Sequence, residues 1–334
     1  MTERTEWQPD ILPGYEFREL SLPDAELVAG DGDGPLAATL IRRSGLRGDR
    51  AVLYLHGWND YFFQTHLGDF FAEIGYDFYA VDLRRYGRSL RESQLQGYIS
   101  NLSEYAEELD AAIKIINAEG DGGRRRRLII SGHSTGGLIA ALWAADHPGT
   151  VDGVILNSPW LELQGSAMVR AVGTPVLEAL ASRGMSTTAI PMTGTDFNAR
   201  ALRADRDGEW VYNLQWKGSP GPPILIGWIR AIRQGHVRVA AGLGIDVPIL
   251  VMTSSRTLFR RRWDPALTAV DTVLDVDQIA RRAPRLGPHV TLVRFEGGLH
   301  DLVLSAKPVR EAVFAEMAAW LDYLGAMEGP TLAT

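Results

Sequence analysis

Leu128, Ile129 and Ile130 form a short apolar run, after which Ser134 stands between Gly132 and Gly136 and before Gly137. This stretch constrains the whole chain. A serine held at a sharp strand-to-helix turn projects its hydroxyl clear of the backbone, and glycines two positions to either side remove the Cβ atoms that would collide there. The apolar run reads as a buried strand, and residues 137–146, rich in Ala and Leu, read as the helix that follows. A strand feeding directly into a helix is the unit of a parallel sheet, so the stretch places the chain in the α/β class.

The rest of the chain repeats that unit. Residues 15–20 and 36–42 read as an antiparallel pair of strands joined through the glycine-rich residues 30–35. Their glycine spacing is not a dinucleotide fingerprint, and no helix follows. Strands are then expected at 51–55, 77–81, 128–130, 151–156, 247–252 and 290–295, and helices at 61–74, 102–118, 137–146 and 308–324. Between 161 and 243 the alternation breaks into an irregular segment, proline-rich around 191 and 220–223, which reads as an insertion into a core of residues 15–160 and 244–325. Residues 1–14 read as a flexible lead-in and 326–334 as a tail. The four arginines at 124–127 precede the elbow strand, where a solvated loop is expected at the edge of the sheet away from the serine.

Composition narrows the chemistry. A net charge of -7 and a pI near 5.6 argue against a nucleic-acid partner and give no broad positive face for an anionic membrane. Without cysteine, disulfides and thiolate sites are unavailable. No metal-binding spacing occurs, so neither cofactor nor metal is expected. The first ten residues are polar, and no run reaches membrane-spanning length, so a cytoplasmic protein without a membrane span is expected.

A serine hydroxyl becomes a nucleophile only when a base takes its proton, and the base needs a carboxylate to hold its tautomer. The expected base is His300, in a glycine-loosened loop after the last strand. The acid should follow the strand at 247–252, where the long loop offers Asp264, Asp271, Asp275 and Asp277. Asp271 is favoured; Asp275 reads as a helix N-cap and is the next alternative, then Asp264. A tetrahedral intermediate needs backbone donors, and the amides of Trp58 and Thr135 are the expected pair. His56 is expected to brace its own loop.

These residues resemble the serine α/β-hydrolase superfamily, and within it the monoacylglycerol-lipase-like and serine-aminopeptidase-like group. The resemblance rests on His56-Gly57-Trp58, on the loop from Asp82 to Ser89, on Gly132 to Gly137, and on Gly298 to Asp301, covering about residues 36–325 in order. It implies a mostly parallel eight-stranded sheet with helices on both faces, a cap formed by residues 161–243, and a catalytic set of Ser134, Asp271 and His300. The expected function is hydrolysis of a small ester with an apolar acyl part. Amide, thioester or carbon-carbon hydrolysis, and ligand binding without turnover, are the alternatives. Trp160, Met168, Met192, Phe197, Trp210, Trp216 and Trp228 are candidates to line an acyl pocket.

Overall fold

The computed structural model describes residues 6–32, 34–45, 48–120, 125–163, 177–190 and 195–327. Among these, nine strands form one sheet: β1 (Gln8–Pro9), β2 (Tyr15–Ser21), β3 (Ala37–Arg43), β4 (Arg50–Leu55), β5 (Asp77–Asp82), β6 (Arg127–His133), β7 (Gly153–Asn157), β8 (Ile249–Ser254) and β9 (Val290–Phe295). Their spatial order is β1-β2-β3-β5-β4-β6-β7-β8-β9. From β5 to β9 in that order all pairs are parallel, whereas β1, β2 and β3 join antiparallel.

The middles of the central strands carry apolar residues on both faces because both are covered. Leu53 of β4, Ile130 of β6 and Val154 of β7 lie side by side and pack into one core. The alternate residues Val52, Ile129 and Ile155 pack into the other. Helices α2 (Ala106–Ala118) and α3 (Thr135–Asp146) cover the first face. Helices α1 (Thr65–Glu73) and α7 (Lys307–Met327) cover the second. Further helices include α4 (Phe197–Leu202), α5 (Ile226–Ala241) and α6 (Val276–Arg282).

From β4 the chain moves outward to β5 and then returns to place β6 on the opposite side of β4. That reversal opens a crevice beyond the carboxyl ends of β4 and β6, where ligands bind in open α/β sheets. The loop at 56–60 and Ser134 both emerge there.

The sheet corrects two expectations. It has nine strands rather than eight, because the lead-in is docked from Trp7 onward. Gln8 and Pro9 pair with Phe17 and Glu16, Trp7 donates its indole N–H to Glu119 at 2.6 Å, and Asp10 accepts two bonds from the nearly buried Arg88. These partners are distant in sequence, so no local pattern announces them. The arginine run is also not a solvated loop throughout. Arg126 is buried, with its guanidinium paired to Asp77 and bonded to the Tyr79 hydroxyl and the Ile116 carbonyl. Arg125 is exposed and paired with Asp152, and Arg124 lies outside the described residues.

Burial likewise turns the loop after β5 into a structural clamp. Arg84 pairs with Glu107 and Glu108, Arg85 with Asp31, and Arg88 with Asp82 as well as Asp10. Each charge leaves water only because a carboxylate and further hydrogen bonds meet it.

Candidate active site

Ser134 leaves β6 with φ 54° and ψ -115°, a conformation costly for a residue with a side chain. The surroundings enforce it. Ser134 N donates to Asn157 O at 3.0 Å, while its carbonyl accepts from the amides of Gly137, Leu138 and Trp160. A Cβ on residue 132 would strike the Gly136 carbonyl, and one on residue 136 would strike the carbonyls of Leu55 and His56. Both positions therefore exclude any side chain.

The base and the acid come from loops beyond β9 and β8. His300 Nε2 lies 3.0 Å from Ser134 Oγ, and its Nδ1 lies 2.9 Å from Asp271 Oδ2. The assigned direction is Ser134 O–H donating to Nε2 and Nδ1–H donating to the carboxylate, the tautomer a general base requires. Asp271 is fully buried, and its other oxygen accepts from Val273 N at 2.7 Å and Leu274 N at 2.8 Å. The loop itself is held by main-chain bonds from Asp271 N to Arg256 O and from Leu258 N to Asp271 O. Asp301, beside His300, accepts from Asn157 Nδ2 at 2.7 Å and from Gln64 Nε2 at 3.2 Å, which fixes the histidine loop to the ends of other elements.

The structure therefore brings Ser134, His300 and Asp271 together and sends the alternatives elsewhere. Asp275 caps α6 by accepting from the amides of Asp277 and Gln278, and Asp264 caps a short turn through Ala266 N. His56 accepts from Leu83 N through Nε2 and faces the Gly57 carbonyl through Nδ1, so it braces the loop.

Above these residues lies a cavity of about 560 Å³. Trp58 and Thr135, whose amides are the candidate oxyanion donors, line it together with Ser134 and His300. The first N–H groups of α3 have no intrahelical acceptor, which leaves them available to an anion. Much of the lining is apolar, with Trp160, Leu163, Ile190, Ile224, Trp228 and Ile229, and the rings of Trp58, Trp228 and Trp160 meet in sequence, tilted, with centroids 5.4 and 5.8 Å apart. Asp60, Tyr212 and Lys217 give the lining a polar part. Lys217 Nζ meets Asp60 Oδ1 at 2.7 Å and lies 5.5 Å from the Tyr212 ring. Both Asp60 Oδ2 and the Tyr212 hydroxyl lack hydrogen-bond partners among the described residues.

Of the aromatic residues expected to line an acyl pocket, Trp160 and Trp228 do so. Three others instead pack against residues outside 161–243. Trp210 stacks on His66 and donates to Leu304 O, Trp216 packs edge-on against Tyr61, and Phe197 packs against Trp263. Met168 and Met192 lie outside the described residues. Lys217 went unread in the sequence because a lone lysine in an irregular segment has no local mark of burial. Its one cue is a position just before Gly218, which Asn59 grips with both atoms of its amide at 2.9 and 3.0 Å.

Asp60, His133 and Asp301 each place one ligand-type atom within 4.8 Å of the others. Asp60 is already neutralised by Lys217 and Asp301 is bonded to Asn157 and Gln64, so the group forms a buried polar core beneath the site.

Two buried imidazoles near the site stay uncharged. Burial, then the neighbouring His300, holds His133 well below the ordinary histidine value. Burial, then Arg233, lowers His236 to about 3, and its Nε2 donates to Trp160 O at 2.9 Å, behind the residue whose amide holds the elbow. The unfolded chain takes up protons on both as pH falls below about 6.5 while the folded chain does not, so stability falls with acidification. Between about pH 7 and pH 5 the expected loss is about 2 kcal/mol for His236, and His133 adds to it in the same direction. Urea unfolding at the two pH values measures it, and His236→Gln, which keeps a donor for Trp160 O, should remove one of the two shares.

A mostly parallel sheet with a serine at a strand-to-helix elbow, and an acid and a histidine on successive later loops, defines an α/β hydrolase. The sequence profile described as serine aminopeptidase, S33, matches residues 47–256, and the chain belongs to that family. The match includes Ser134 but ends before Asp271 and His300. A monoacylglycerol lipase of Mycolicibacterium smegmatis is 25% identical over 274 residues, 81% of this chain and 87% of that protein. Among solved structures, a soluble variant of the Saccharomyces cerevisiae monoglyceride lipase superposes with a TM-score of 0.62 at 19% identity, covering 96% of each chain. A thermostable carboxyl esterase of Bacillus coagulans gives 0.62 at 17% identity, over 92% of this chain and 98% of that one. Among the described residues no helix is long and apolar enough to cross a membrane.

Proposed function

We propose that this protein is a serine hydrolase that cleaves small carboxylic esters through an acyl-enzyme on Ser134, with residues 161–243 acting as a cap over the cavity. The observation that carries the reading is the continuous hydrogen-bonded line from Ser134 Oγ through His300 to Asp271 at the floor of a largely apolar cavity. The names of its lipase and esterase relatives support the choice of an ester.

In this mechanism Ser134 Oγ attacks the ester carbonyl while His300 Nε2 takes its proton. The amides of Trp58 and Thr135 hold the charge that develops on the carbonyl oxygen. Asp271 remains ionised, fixes the imidazole and stabilises its positive form. As the tetrahedral intermediate collapses, His300 returns the proton to the leaving alcohol, and water then releases the acyl group by the same steps. The tryptophan wall takes the acyl part, of short or medium length. Hydrolysis of nitrophenyl esters across acyl lengths, together with phosphonate labelling of Ser134, tests the reading; absence of both in the folded protein would reject it.

The polar part of the lining suits a leaving alcohol that carries further hydroxyls, because Lys217, held in place by Asp60, can donate to them. Lys217→Met combined with Asp60→Asn leaves no buried charge unpaired. For this double variant kcat/KM on a monoacylglycerol is expected to fall about tenfold or more, the weight of a hydrogen bond to a charged group. The nitrophenyl ester of the same acid should change little. Equal losses on both substrates would remove these residues from alcohol recognition.

A further inference from the structure

The loop that leaves β4 is fastened at both ends of a single turn. Trp58 and Asn59 make that turn, and Asn59 has φ 53°, in the left-handed region that glycine and asparagine enter most readily. Before it the chain lies against the nucleophile: a Cβ on residue 57 would sit 3.2 Å from Ser134 Cβ, and His56 is bonded to Leu83 N. The Trp58 N–H meets no acceptor among the described residues. After the turn the fastening is a side chain. Asn59 Nδ2 donates to Gly218 O at 2.9 Å while its Oδ1 accepts from Gly218 N at 3.0 Å, which imitates one rung of a β-ladder.

This grip is one of a series. The Trp58 and Trp228 rings meet at 5.4 Å, Asp60 pairs with Lys217, the Tyr61 hydroxyl accepts from Asn213 N at 2.8 Å, and the Phe63 and Tyr212 rings lie 5.3 Å apart. As the numbers rise from 58 to 63, those of the partners fall from 228 to 212, so the inserted segment runs along the loop in the opposite direction. Among these contacts Asn59 alone makes two directed bonds to one peptide, one residue from the Trp58 nitrogen. Glycine would satisfy the turn, so the amide is there for the grip. A hydrogen bond weakens steeply as its donor tilts, and a misplacement of about 1 Å at a reacting centre can cost about 100-fold in rate.

We infer that Asn59 is a positioning residue for the oxyanion hole: its grip on Gly218 keeps the Trp58 amide aimed at the reacting carbonyl, so this donor is fully effective only while the segment around Gly218 is seated. The inference rests on the acyl-enzyme reading above, with Trp58 N–H as an oxyanion donor. Asn59 itself touches no reacting atom and transfers no proton. The bond from Trp58 N–H strengthens as charge gathers on the carbonyl oxygen, so misaiming it should appear in kcat more than in KM.

Two variants test it from opposite sides. Asn59→Gly keeps the left-handed turn and removes the grip. Gly221→Ala changes no residue of the loop, but its Cβ would lie 2.8 Å from Asn59 Nδ2, so the amide must move from its place on Gly218. Each is expected to lower kcat on a nitrophenyl ester by about 10- to 100-fold, with KM within about threefold. Affinity for a trifluoromethyl ketone, whose oxyanion on Ser134 meets the same donors, should fall in parallel. Because both changes act on one grip, the double variant should be no slower than Asn59→Gly alone; losses that multiply would overturn the inference. A merely structural Asn59 would lower the unfolding temperature while the folded variant kept kcat and ketone affinity. If both stay within about threefold in either variant that folds, or if the loss lies in KM alone, this inference fails and the hydrolase reading stands. If the folded natural protein neither hydrolyses esters nor takes a phosphonate label, both fail together.

Discussion

Replacing Ser134 by alanine is expected to lower ester hydrolysis by about 10⁴- to 10⁶-fold and to abolish labelling by a phosphonate. The loss is large because the other parts of the site act only through this oxygen. His300 Nε2 has the Ser134 hydroxyl as its partner, and the donors of Trp58 and Thr135 can stabilise only an oxyanion that an attack has created. The fold should survive. The turn at residue 134 is held by main-chain bonds to Asn157, Gly137, Leu138 and Trp160, none of which uses the side chain. Circular dichroism and thermal unfolding of the variant should therefore match the natural protein. Turnover within about tenfold of the natural rate would place the chemistry on another residue.

The second large effect separates two aspartates four positions apart. Asp271→Asn is expected to lower kcat by about 10⁴-fold. The amide oxygen can still accept from Val273 N and Leu274 N, so the loop is retained, but its NH₂ then faces His300. An NH₂ there favours a ring that accepts at Nδ1 and carries its proton on Nε2, and such a ring cannot accept the Ser134 proton. Asp275→Asn should leave kcat within about twofold, because asparagine caps a helix about as well as aspartate. Asp275→Ala should cost about 1 kcal/mol of stability with activity unchanged. The three variants, compared on one nitrophenyl ester and by urea unfolding, give opposite patterns for the two positions. Full activity in Asp271→Asn would overturn the proposed acid.

Much of the fold is legible because it is written locally. Apolar runs such as residues 51–55 and 128–130, and helical spacing at 102–118, announce elements whose side chains face a core on both sides of a sheet. The β9 strand spans the expected residues, and α3 begins within two positions of its expected start. The elbow is legible for the same reason: Gly132 and Gly136 are required by carbonyls within a few residues of the turn or in the adjacent strand loop. His300 could be chosen because it alone follows the last strand in a loop free to reach over the sheet edge.

The remaining features depend on partners that sequence spacing does not relate. Four carboxylates follow β8, and only the folded loop, bridged at Thr257 and Asp271, decides which one faces His300. The short strand Gln8–Pro9 and the burial of Arg126 arise from pairings with residues that lie on other strands. Lys217 becomes part of the cavity lining because it meets Asp60, a residue on a loop far earlier in the chain. The sequence by itself determined the α/β alternation, the elbow serine and the histidine, since backbone sterics and hydrophobic periodicity act over a few residues. The acid's identity, the Lys217–Asp60 pair and the burial of Arg126 were decided only in the tertiary structure, because charge pairing and hydrogen-bond satisfaction depend on which distant groups burial brings within about 3 Å of one another.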